Sequence, residues 1–323
     1  MSTESAVLLL AGGGGHTGYA YALAQALHGR CELYSLVPEG DRLSLQRLSK
    51  YSTVSQLTKP RGPKTPTYRF VSRLITSGIK SLQLVKSRHR VVVSTGSNFC
   101  IPPSLAAYLK GGQLINIESS VRFTRASSTA RILSRISKIT ALQWEDQKEL
   151  FPGGTVYGPF VPSPEAPITD GGYILVTGGT FGHKALFDAI SATSYKNVVL
   201  QTGVVAQEPY RLQHPEWEIF DFSPTFYRYI AAASVVVTHF GETALESALV
   251  YKKPTVIVVN PEWTRTVGVE DAARLTKHLG AQLVTEPNTD SLRNAIEASS
   301  SFTPPALPDG SKRLADDILQ LLK

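Results

Sequence analysis

The feature that most constrains the fold is a run of six apolar residues, 6–11, that breaks into four consecutive glycines and then His16. An unbroken apolar run of this length is typical of a parallel strand buried on both faces. Glycines permit a tight turn after it, and we expect a helix over residues 17–28. The N–H groups of such a turn and helix start attract anions. The stretch therefore predicts an anion-binding turn, with His16 at its edge as the first candidate for chemistry.

A second interpretation of this turn is a dinucleotide site. Gly13, Gly15 and Gly18 spell G-x-G-x-x-G, and Glu39 follows them, as in the fingerprint whose acidic side chain binds a ribose about twenty residues later. A tight turn that binds no ligand also satisfies this short pattern. These interpretations all stay open on the sequence of the turn alone.

The rest of the chain repeats the order strand, glycine turn, helix. After the first strand, the predicted strands cover residues 31–37, 52–56, 90–94, 113–117 and 139–142, and then 173–176, 198–201, 218–220, 235–237, 255–259 and 282–284. Four prolines between residues 159 and 167, followed by two glycines, separate the two series. Alternating strands and helices indicate a doubly wound parallel sheet in each half.

We therefore predict an α/β protein built from two facing Rossmann-like domains, with ligands bound in the cleft between them. The first domain covers residues 1–158, a linker covers 159–172 and the second domain covers 173–323. The C-terminal helix of the second domain is able to pack back on the first.

Charge is distributed unevenly between the halves. Residues 1–158 contain 20 basic and 8 acidic side chains, whereas residues 159–323 contain 13 and 18. Between Asp41 and Glu145 there are 18 lysines and arginines and a single carboxylate, Glu118. Such a surface attracts phosphate groups or anionic lipid. Nucleic acid is not expected, because aromatic residues are not interleaved with the basic ones as in RNA- or DNA-binding modules.

The remaining composition indicates a cytosolic chain that uses neither a metal nor a cofactor. Its two cysteines, Cys31 and Cys100, form neither a disulfide framework nor a Cys/His metal pattern. No Asp-x-Asp pair offers a carboxylate cage for a divalent cation. No apolar stretch reaches the eighteen or so residues that span a bilayer, and the N-terminus lacks the order of a signal peptide.

Residues 67–86 predict a basic amphipathic helix. The apolar positions at helical spacing are Phe70, Val71, Leu74, Ile75, Ile79 and Leu82, and the basic positions among them are Arg69, Arg73, Lys80 and Lys86. Such a helix suits an anionic membrane surface. The same pattern is expected for a helix that packs its apolar face on the protein core and exposes its polar face to water. Both interpretations stay open.

A second candidate site follows the strand predicted at residues 235–237. Thr243 and Glu246 are three residues apart and share one face at the start of a helix. A hydroxyl with free N–H groups suits a diphosphate, and a carboxylate one turn later suits the hydroxyls of a ribose. A capping box, in which Thr243 caps the helix and Glu246 reaches back, explains the same spacing.

This stretch resembles the donor site of nucleotide-sugar transferases of the GT-B fold. In that superfamily a histidine or arginine, a glycine, a serine or threonine and a glutamate bind the uridine diphosphate of the donor. The matching residues here are His239, Gly241, Thr243 and Glu246. The turn made by Gly178, Gly179 and Thr180 resembles the phosphate-side glycine turn of the same domain.

The first half resembles the membrane-recruiting subunit of the dolichol-pathway N-acetylglucosaminyltransferase. Matching motifs occur in the same order at residues 13–17, 95–102, 116–122, 127–129, 141–145, 150–152 and 157–158. The second half looks like the donor-binding subunit of that enzyme, and the bacterial peptidoglycan transferase joins equivalent halves in one chain. The sequence thus resembles an archaeal-type fusion of the two subunits. It shows no N-terminal membrane segment like that of the eukaryotic recruiting subunit, so attachment is expected from the basic residues 59–90 and from the lipid substrate.

The resemblance implies an inverting β-1,4-N-acetylglucosaminyltransferase that needs no metal. It implies UDP-GlcNAc as donor and a polyprenyl- or dolichyl-diphosphate-GlcNAc as acceptor, in the second step of lipid-linked oligosaccharide assembly for N-glycosylation at the cytoplasmic face of the membrane. The implied donor-binding residues are Gly178, Gly179, Thr180, His239, Gly241, Glu242, Thr243 and Glu246. The implied acceptor-binding residues are Gly14, Gly15, Thr17, Thr95, Gly96, Ser97, Asn98, Arg122 and Arg125.

The catalytic base is expected to be His16 or Glu118, and the sequence does not decide between them. Glu118 also suits an ion pair with Arg122 or Arg125, and His16 suits a helix cap. Three other functions stay open as well. They are a GT-B sugar-nucleotide epimerase with the same donor motif, a nicotinamide oxidoreductase that uses the first glycine turn, and a partner protein that binds UDP-GlcNAc without turnover.

Overall fold

The computed structural model describes residues 5–60, 67–263 and 268–323. The chain divides into two compact units, one made of residues 1–162 and 307–323 and the other of residues 163–306. The border between residues 162 and 163 falls within the stretch expected to be a linker.

The first unit contains a seven-stranded sheet. Its strands are β1 (Ala6–Leu10), β2 (Glu32–Pro38), β3 (Thr53–Leu57), β4 (His89–Ser94), β5 (Gln113–Ile117), β6 (Ile139–Leu142) and β7 (Thr155–Val156). Its first five helices are α1 (Gly15–Leu27), α2 (Arg42–Leu48), α3 (Thr67–Leu84), α4 (Ile101–Leu109) and α5 (Ser128–Leu133). The strands lie in the order β3-β2-β1-β4-β5-β6-β7, and every neighbouring pair is parallel. The order reverses between β1 and β4, where doubly wound sheets bind ligands.

The second unit repeats this plan with six strands. They are β8 (Ile174–Thr177), β9 (Val198–Gln201), β10 (Glu218–Phe220), β11 (Val235–His239), β12 (Thr255–Val258) and β13 (Gln282–Val284). The helices are α6 (Lys184–Ser191), α7 (Glu208–Gln213), α8 (Phe226–Ala232), α9 (Glu242–Leu245), α10 (Val269–Leu279) and α11 (Thr289–Ala298). The order β10-β9-β8-β11-β12-β13 is again fully parallel and reverses between β8 and β11. The prediction of two doubly wound parallel-sheet domains is confirmed.

Helices cover both faces of the first sheet, which explains why β1 contains only apolar residues. Val7 and Leu9 belong to a buried cluster with residues of α1 and of the C-terminal helix α12 (Gly310–Leu322). Leu8 and Leu10 belong to another cluster with residues of α4. Since successive side chains of a strand point to opposite faces, both faces need apolar side chains.

The C-terminal helix α12 is part of the first unit. The hydroxyl of Tyr157 donates to the Asp317 carboxylate at 2.6 Å, and the Arg313 guanidinium donates to the Tyr157 carbonyl at 2.9 Å. Leu314 and Ile318 are fully buried in the same cluster as β1. The last turns of the chain therefore complete the core of the first sheet.

The start of α12 leaves no room for a side chain at Gly310. A Cβ there would collide with the Gly158 carbonyl oxygen and lie 2.9 Å from that of Pro159. We expect Gly310→Ala to lower the free energy of unfolding, measured in urea, by about 1–3 kcal/mol, because α12 would have to shift. The control Gly153→Ala, whose Cβ would meet nothing within 4 Å, should change it by less than about 0.5 kcal/mol. Equal stability of the two variants would contradict this packing.

Helix α3 directs small residues inward and large apolar residues outward. Ser77 and Ser81 are fully buried, whereas Ile75 is 60%, Ile79 57% and Leu82 47% exposed. The interpretation of this apolar stripe as the core-facing side is therefore wrong for these three residues. Periodicity could not predict which face of α3 is buried, because the buried positions include small polar residues, Ser77 and Ser81, instead of these large apolar ones. The side chains of Arg69 and Val71, and residues 61–66 of the basic segment, lie outside the described part of the chain. Among the helices described, none combines the length and apolar character needed to cross a membrane.

Candidate active site

The glycine turn after β1 meets the turn after β4 at the reversal point of the first sheet. A Cβ at Gly12 would lie 2.7 Å from the Ser97 hydroxyl and 2.9 Å from the Gly96 carbonyl oxygen, so the two turns touch. Gly13 and Gly14 have φ values of 82° and 61°, a region that favours glycine. A Cβ at Gly14 would meet nothing within 4 Å. The open side of this turn, at the start of α1, is therefore accessible to a ligand.

His16 lies against the second of these turns with a fixed tautomer. Its Nδ1 is 2.7 Å from the Thr95 carbonyl oxygen. Since a carbonyl oxygen only accepts, Nδ1 carries the proton and Nε2 keeps a lone pair. The pKa of His16 is lowered to about 4, chiefly by burial. The positive charges of Lys59 and Arg122 lower this pKa as well, whereas the hydrogen bond to Thr95 raises it. His16 is thus a neutral imidazole whose Nε2 keeps a lone pair.

Lys59 is a residue of this site that the sequence analysis did not single out. Its ammonium donates to the Gly12 carbonyl at 2.8 Å, and a Cβ at Gly13 would lie 3.4 Å from it. Burial lowers the pKa of Lys59, and the negative charge of Asp41 opposes this shift. Its position in the sequence could have indicated this role. Lys59 comes just after a predicted strand, and the residues that follow parallel strands lie at one edge of the sheet, where ligands bind.

Glu118 is fully buried and both of its carboxylate oxygens accept backbone hydrogen bonds. Oε1 accepts from the Ser119 N–H at 2.7 Å and Oε2 from the Ser127 N–H at 2.9 Å. Burial raises the pKa of Glu118, while these hydrogen bonds and the Arg122 charge oppose the shift. The side chain closes the loop of residues 119–127 instead of presenting a free oxygen.

Three further side chains fix the same loop from outside. Gln147 donates to the carbonyls of Ser119 and Arg122 at 2.7 and 2.9 Å. The Trp144 indole donates to the Ser120 carbonyl at 2.7 Å, and the Tyr19 hydroxyl accepts from the Ser120 N–H at 3.1 Å. The loop therefore holds Arg122 where its charge reaches His16.

The other acceptor candidates fall into two groups. Thr17 and Thr95 are buried, and their hydroxyls bond Ser44 at 2.6 Å and the Leu10 carbonyl at 2.7 Å, so they tie elements together. The second group lies at the two turns or on the loop: Gly14 and Gly15 are exposed, Ser97, Asn98 and Arg122 are half-buried, and Gly96 is buried against the His16 ring. Arg125 is exposed on the loop.

Ser97 has a backbone conformation that a residue with a side chain rarely adopts. Its φ is 68° and its ψ 154°, in a region that is occupied essentially by glycine. Its hydroxyl donates to the Gly12 carbonyl at 3.4 Å and accepts from the Phe99 N–H at 3.2 Å. Contacts with both turns hold this conformation in place.

In the second unit, the turns after β8 and β11 lie side by side around His239. A Cβ at Gly179 would lie 2.9 Å from Cε1 of His239, and one at Gly241 would lie 3.4 Å from its Nε2. Gly179, with φ 67°, bonds through its N–H to the Thr177 hydroxyl at 3.0 Å. Burial lowers the pKa of His239 to about 4, and the nearby His183 contributes a smaller part of this shift. The imidazole is neutral and in contact with both glycine turns.

Helix α9 begins directly after Gly241, and it differs from the predicted capping box. Gly241 occupies the capping position, so Thr243 is the second residue of the helix instead of its cap. From Glu246 to Val250 the helix continues with the wider turns of a π-helix, a form frequent at functional sites. Glu246 is only 7% exposed. Glu242 and Thr243 are half-buried, and Thr180 on the turn after β8 is exposed.

Large apolar side chains are exposed after three neighbouring strands of the second sheet. Phe181 follows β8, Val204 follows β9 and Phe222 follows β10, with exposed fractions of 47%, 73% and 57%. They lie at the carboxyl edge, on one side of the reversal point. This edge offers apolar contact area beside the glycine turns.

Glu39, the acidic residue of the dinucleotide interpretation, is engaged elsewhere. Its carboxylate accepts from the Lys80 ammonium at 3.0 Å and from the Thr58 hydroxyl at 2.8 Å. The hydrogen bond from Lys80, with that from Thr58, lowers the pKa of Glu39. The carboxylate therefore joins α3 to the sheet, which leaves the dinucleotide interpretation without its ribose ligand.

Two protein families match the two halves of the chain. Residues 7–160 match the family described as oligosaccharide biosynthesis protein Alg14 like. Residues 173–313 match the glycosyltransferase family 28 C-terminal domain.

Curated proteins are similar to most of the chain or to about half of it. The UDP-N-acetylglucosamine–N-acetylmuramyl-(pentapeptide) pyrophosphoryl-undecaprenol N-acetylglucosamine transferase of Prochlorococcus marinus is 28% identical over 318 residues, covering 91% of this chain and 87% of that protein. The UDP-N-acetylglucosamine transferase subunit ALG14 of Candida albicans is 25% identical over 171 residues, covering 48% of this chain and 78% of that protein.

Solved structures share the architecture at low identity. Acinetobacter baumannii MurG has a TM-score of 0.65 and 19% identity, covering 98% of this chain and 99% of that one. UDP-N-acetylglucosamine 2-epimerase from Rickettsia bellii has a TM-score of 0.68 and 12% identity, covering 99% and 96%. These likenesses show the fold alone. The chain therefore joins an Alg14-like domain and a glycosyltransferase family 28 C-terminal domain in one polypeptide of the GT-B fold.

Proposed function

We propose that the protein is an inverting glycosyltransferase that adds GlcNAc from UDP-GlcNAc, in β-1,4 linkage, to a lipid-diphosphate-linked GlcNAc. The observation that carries this proposal is the neutral His16, whose Nδ1 is fixed by the Thr95 carbonyl beside an open glycine turn. The two matching families and the curated transferases support the donor and the lipid-linked acceptor. The product corresponds to the second step of lipid-linked oligosaccharide assembly for N-glycosylation.

The acceptor is assigned to the first unit. The glycine turns and the N-terminus of α1 offer N–H groups for its diphosphate, and Lys59 and Arg122 supply positive charge beside His16. The residues assigned to this role are Gly14, Gly15, Gly96, Ser97, Asn98, Arg122 and Lys59. Thr17 and Thr95 act behind them by fixing α1 and the turn after β4.

The donor is assigned to the second unit. Its diphosphate binds at the turns around His239, Glu246 binds the ribose, and the exposed Phe222 offers an apolar face to the uracil. The remaining residues assigned to the donor are Gly178, Gly179, Thr180, Gly241, Glu242 and Thr243.

In the proposed reaction the 4-hydroxyl oxygen of the acceptor attacks the anomeric carbon of the donor. The bond from that carbon to the phosphate oxygen breaks, UDP leaves with the electron pair, and the hydroxyl proton passes to Nε2 of His16. We assign the base to His16 because its Nε2 keeps a lone pair, whereas both oxygens of Glu118 are occupied. Glu118 is then a positioning residue that holds the loop with Arg122.

The reaction is proposed to need no metal. N–H groups at the glycine turns and at the start of α9 stabilise the departing diphosphate. The test is transfer of labelled GlcNAc to a synthetic lipid-diphosphate-GlcNAc in EDTA, with the linkage of the product determined by NMR. A product in EDTA supports the proposal, whereas activity that EDTA abolishes and manganese restores overturns metal independence. Release of UDP by the folded protein without any acceptor would instead favour an epimerase.

We further propose that the protein binds peripherally to the cytoplasmic face of a membrane through α3 and α4. Besides Ile75, Ile79 and Leu82, the exposed apolar residues of this surface are Tyr68, Leu105, Tyr108 and Leu109. Arg73, Lys86 and Lys110 are exposed on the same two elements and the segments after them. An apolar face with basic residues suits an anionic bilayer.

We expect the double variant Ile75→Glu/Ile79→Glu to weaken co-sedimentation with phosphatidylglycerol liposomes at least about tenfold, because two apolar contacts are lost and two repulsive charges gained. The matched control is Ile168→Glu in the second unit, where the isoleucine is 50% exposed, and it should bind like the wild type. Binding that is absent in the wild type, or that is indifferent to salt, would contradict this surface.

A further inference from the structure

We propose that His239 takes up a proton from solvent when the donor diphosphate binds, so that the donor site becomes positively charged only when it is occupied. This inference rests on the proposed function, because it takes the second unit as the donor site. It concerns how that site recognises a diphosphate without a permanently charged residue at this position.

The His239 ring is enclosed by two glycine turns and, within the part of the chain that the structure describes, has an unpaired buried nitrogen. His239 ends β11 and lies between the turns that contain Gly179 and Gly241, each close enough that a Cβ would touch the imidazole. Among the described residues, its buried Nδ1 has no hydrogen-bond partner. A buried polar atom without a partner is unfavourable by about 1–3 kcal/mol. A ligand oxygen at these turns would supply the partner.

The neighbouring His183 is held neutral and does not compete for the proton. Its Nδ1 accepts from the Leu186 N–H at 3.3 Å, so Nε2 carries the hydrogen and lies 3.2 Å from the Val259 carbonyl. Burial lowers the pKa of His183. Both nitrogens of His183 are therefore committed, and His239 is the histidine of this pair with a free nitrogen.

Charged groups of both signs lie on the elements around His239. Lys184, at the start of α6, is exposed and paired with Asp188 at 2.5 Å, and the others are carboxylates. Glu242 and Glu246 lie on the helix that follows, and Glu262 lies after β12. A carboxylate that acted on the ring would raise its pKa, yet burial and His183 lower it to about 4. Without ligand, His239 is therefore neutral throughout the physiological range.

A bound diphosphate reverses this balance. Its negative charges within about 4–6 Å of the ring raise a pKa by roughly 1–3 units, from about 4 to about 5–7. Solvent supplies the proton, which gives the ring a second N–H donor and a positive charge facing the diphosphate. Because the complex binds more protons than the free protein, affinity falls as pH rises, by up to about tenfold per pH unit.

The test is calorimetric titration of the full chain with UDP-GlcNAc in two buffers of different ionisation enthalpy. This ligand is chosen because its diphosphate is esterified at both ends and has no group that titrates near neutral pH. At a pH near 5.5 we expect uptake of about 0.2–0.9 proton per site in the wild type. His239→Asn should lose the uptake and bind more weakly, and His239→Arg should bind with no uptake and a nearly pH-independent Kd. His278→Asn, on α10 of the same unit, should keep the uptake.

UDP-GlcNAc binding without proton uptake in the wild type, or unchanged uptake in His239→Asn and His239→Arg, would overturn the inference and leave the proposed function intact. A folded wild type that binds no UDP-GlcNAc would overturn the donor assignment itself. His239→Arg replaces the ring by a permanent charge, so it tests the inference even where His239→Asn does not fold.

Discussion

Replacement of His16 by alanine is expected to lower kcat for GlcNAc transfer by about 10²–10⁴-fold, the usual contribution of a general base. The geometry gives the reason. Nδ1 is fixed on the Thr95 carbonyl at 2.7 Å, so the lone pair of Nε2 is the group that accepts the proton. The measurement is single-turnover transfer with both substrates saturating, so that binding does not mask the chemical step.

The pH dependence distinguishes this base from an ordinary histidine. With the pKa of His16 lowered to about 4, the imidazole is deprotonated above that pH, and activity rises with pH only below about pH 5. At saturating donor, and in the His239→Arg background so that residue 239 does not titrate, kcat/KM for the acceptor should therefore be flat from about pH 5.5 to 7.5. A fall centred near pH 6.5, the ordinary value, would contradict the environment described for His16.

Two variants sharpen this test. His28→Ala removes an exposed histidine at the other end of the same helix, and it should leave the rate unchanged. Added imidazole should restore part of the activity of His16→Ala, because a small base can occupy the space left by the ring. Full activity in folded His16→Ala would remove His16 from the reaction.

The sheets of this protein were the most predictable part of its structure. Five strands have the predicted bounds, and their residue ranges are 113–117, 139–142, 198–201, 218–220 and 282–284. Strands buried on both faces of a sheet need apolar runs, and such runs are visible without any knowledge of the partners. The glycine turns could be predicted for a related reason, since close approach of two loops at Gly12 excludes every side chain.

The roles of individual polar residues were less predictable, because they depend on distant parts of the chain. Glu118 is isolated among basic residues and was a candidate base, yet its carboxylate accepts a hydrogen bond from Ser127, nine residues later. Lys59 reaches Gly12 across 47 residues. Neither contact follows from periodicity or charge. The same holds for α3, where buried serines and exposed isoleucines reverse the usual pattern.

Substitution of Glu118 is expected to affect stability and acceptor binding together. Glu118→Ala leaves the part-buried N–H groups of Ser119 and Ser127 without their acceptor, and we expect it to lower the free energy of unfolding by up to about 1–3 kcal/mol for each. Glu118→Gln keeps one acceptor oxygen but turns its amide group toward the other N–H. The decrease in the free energy of unfolding should therefore be about half that of Glu118→Ala. Both losses can be read from urea denaturation of the full chain.

The kinetic consequence separates a positioning role from a catalytic one. If Glu118 holds the loop that carries Arg122, then Glu118→Gln should raise KM for the acceptor at least several-fold more than it lowers kcat, with KM for UDP-GlcNAc unchanged. The pH profile should keep the shape set by His16, because that base is intact. A loss of kcat of about 10²–10⁴-fold in a Glu118→Gln protein of near-native stability would instead make Glu118 the base, and His16 would then serve to bind the acceptor. Since both oxygens of Glu118 already accept hydrogen bonds from backbone N–H groups, that outcome would require the loop to open before each turnover.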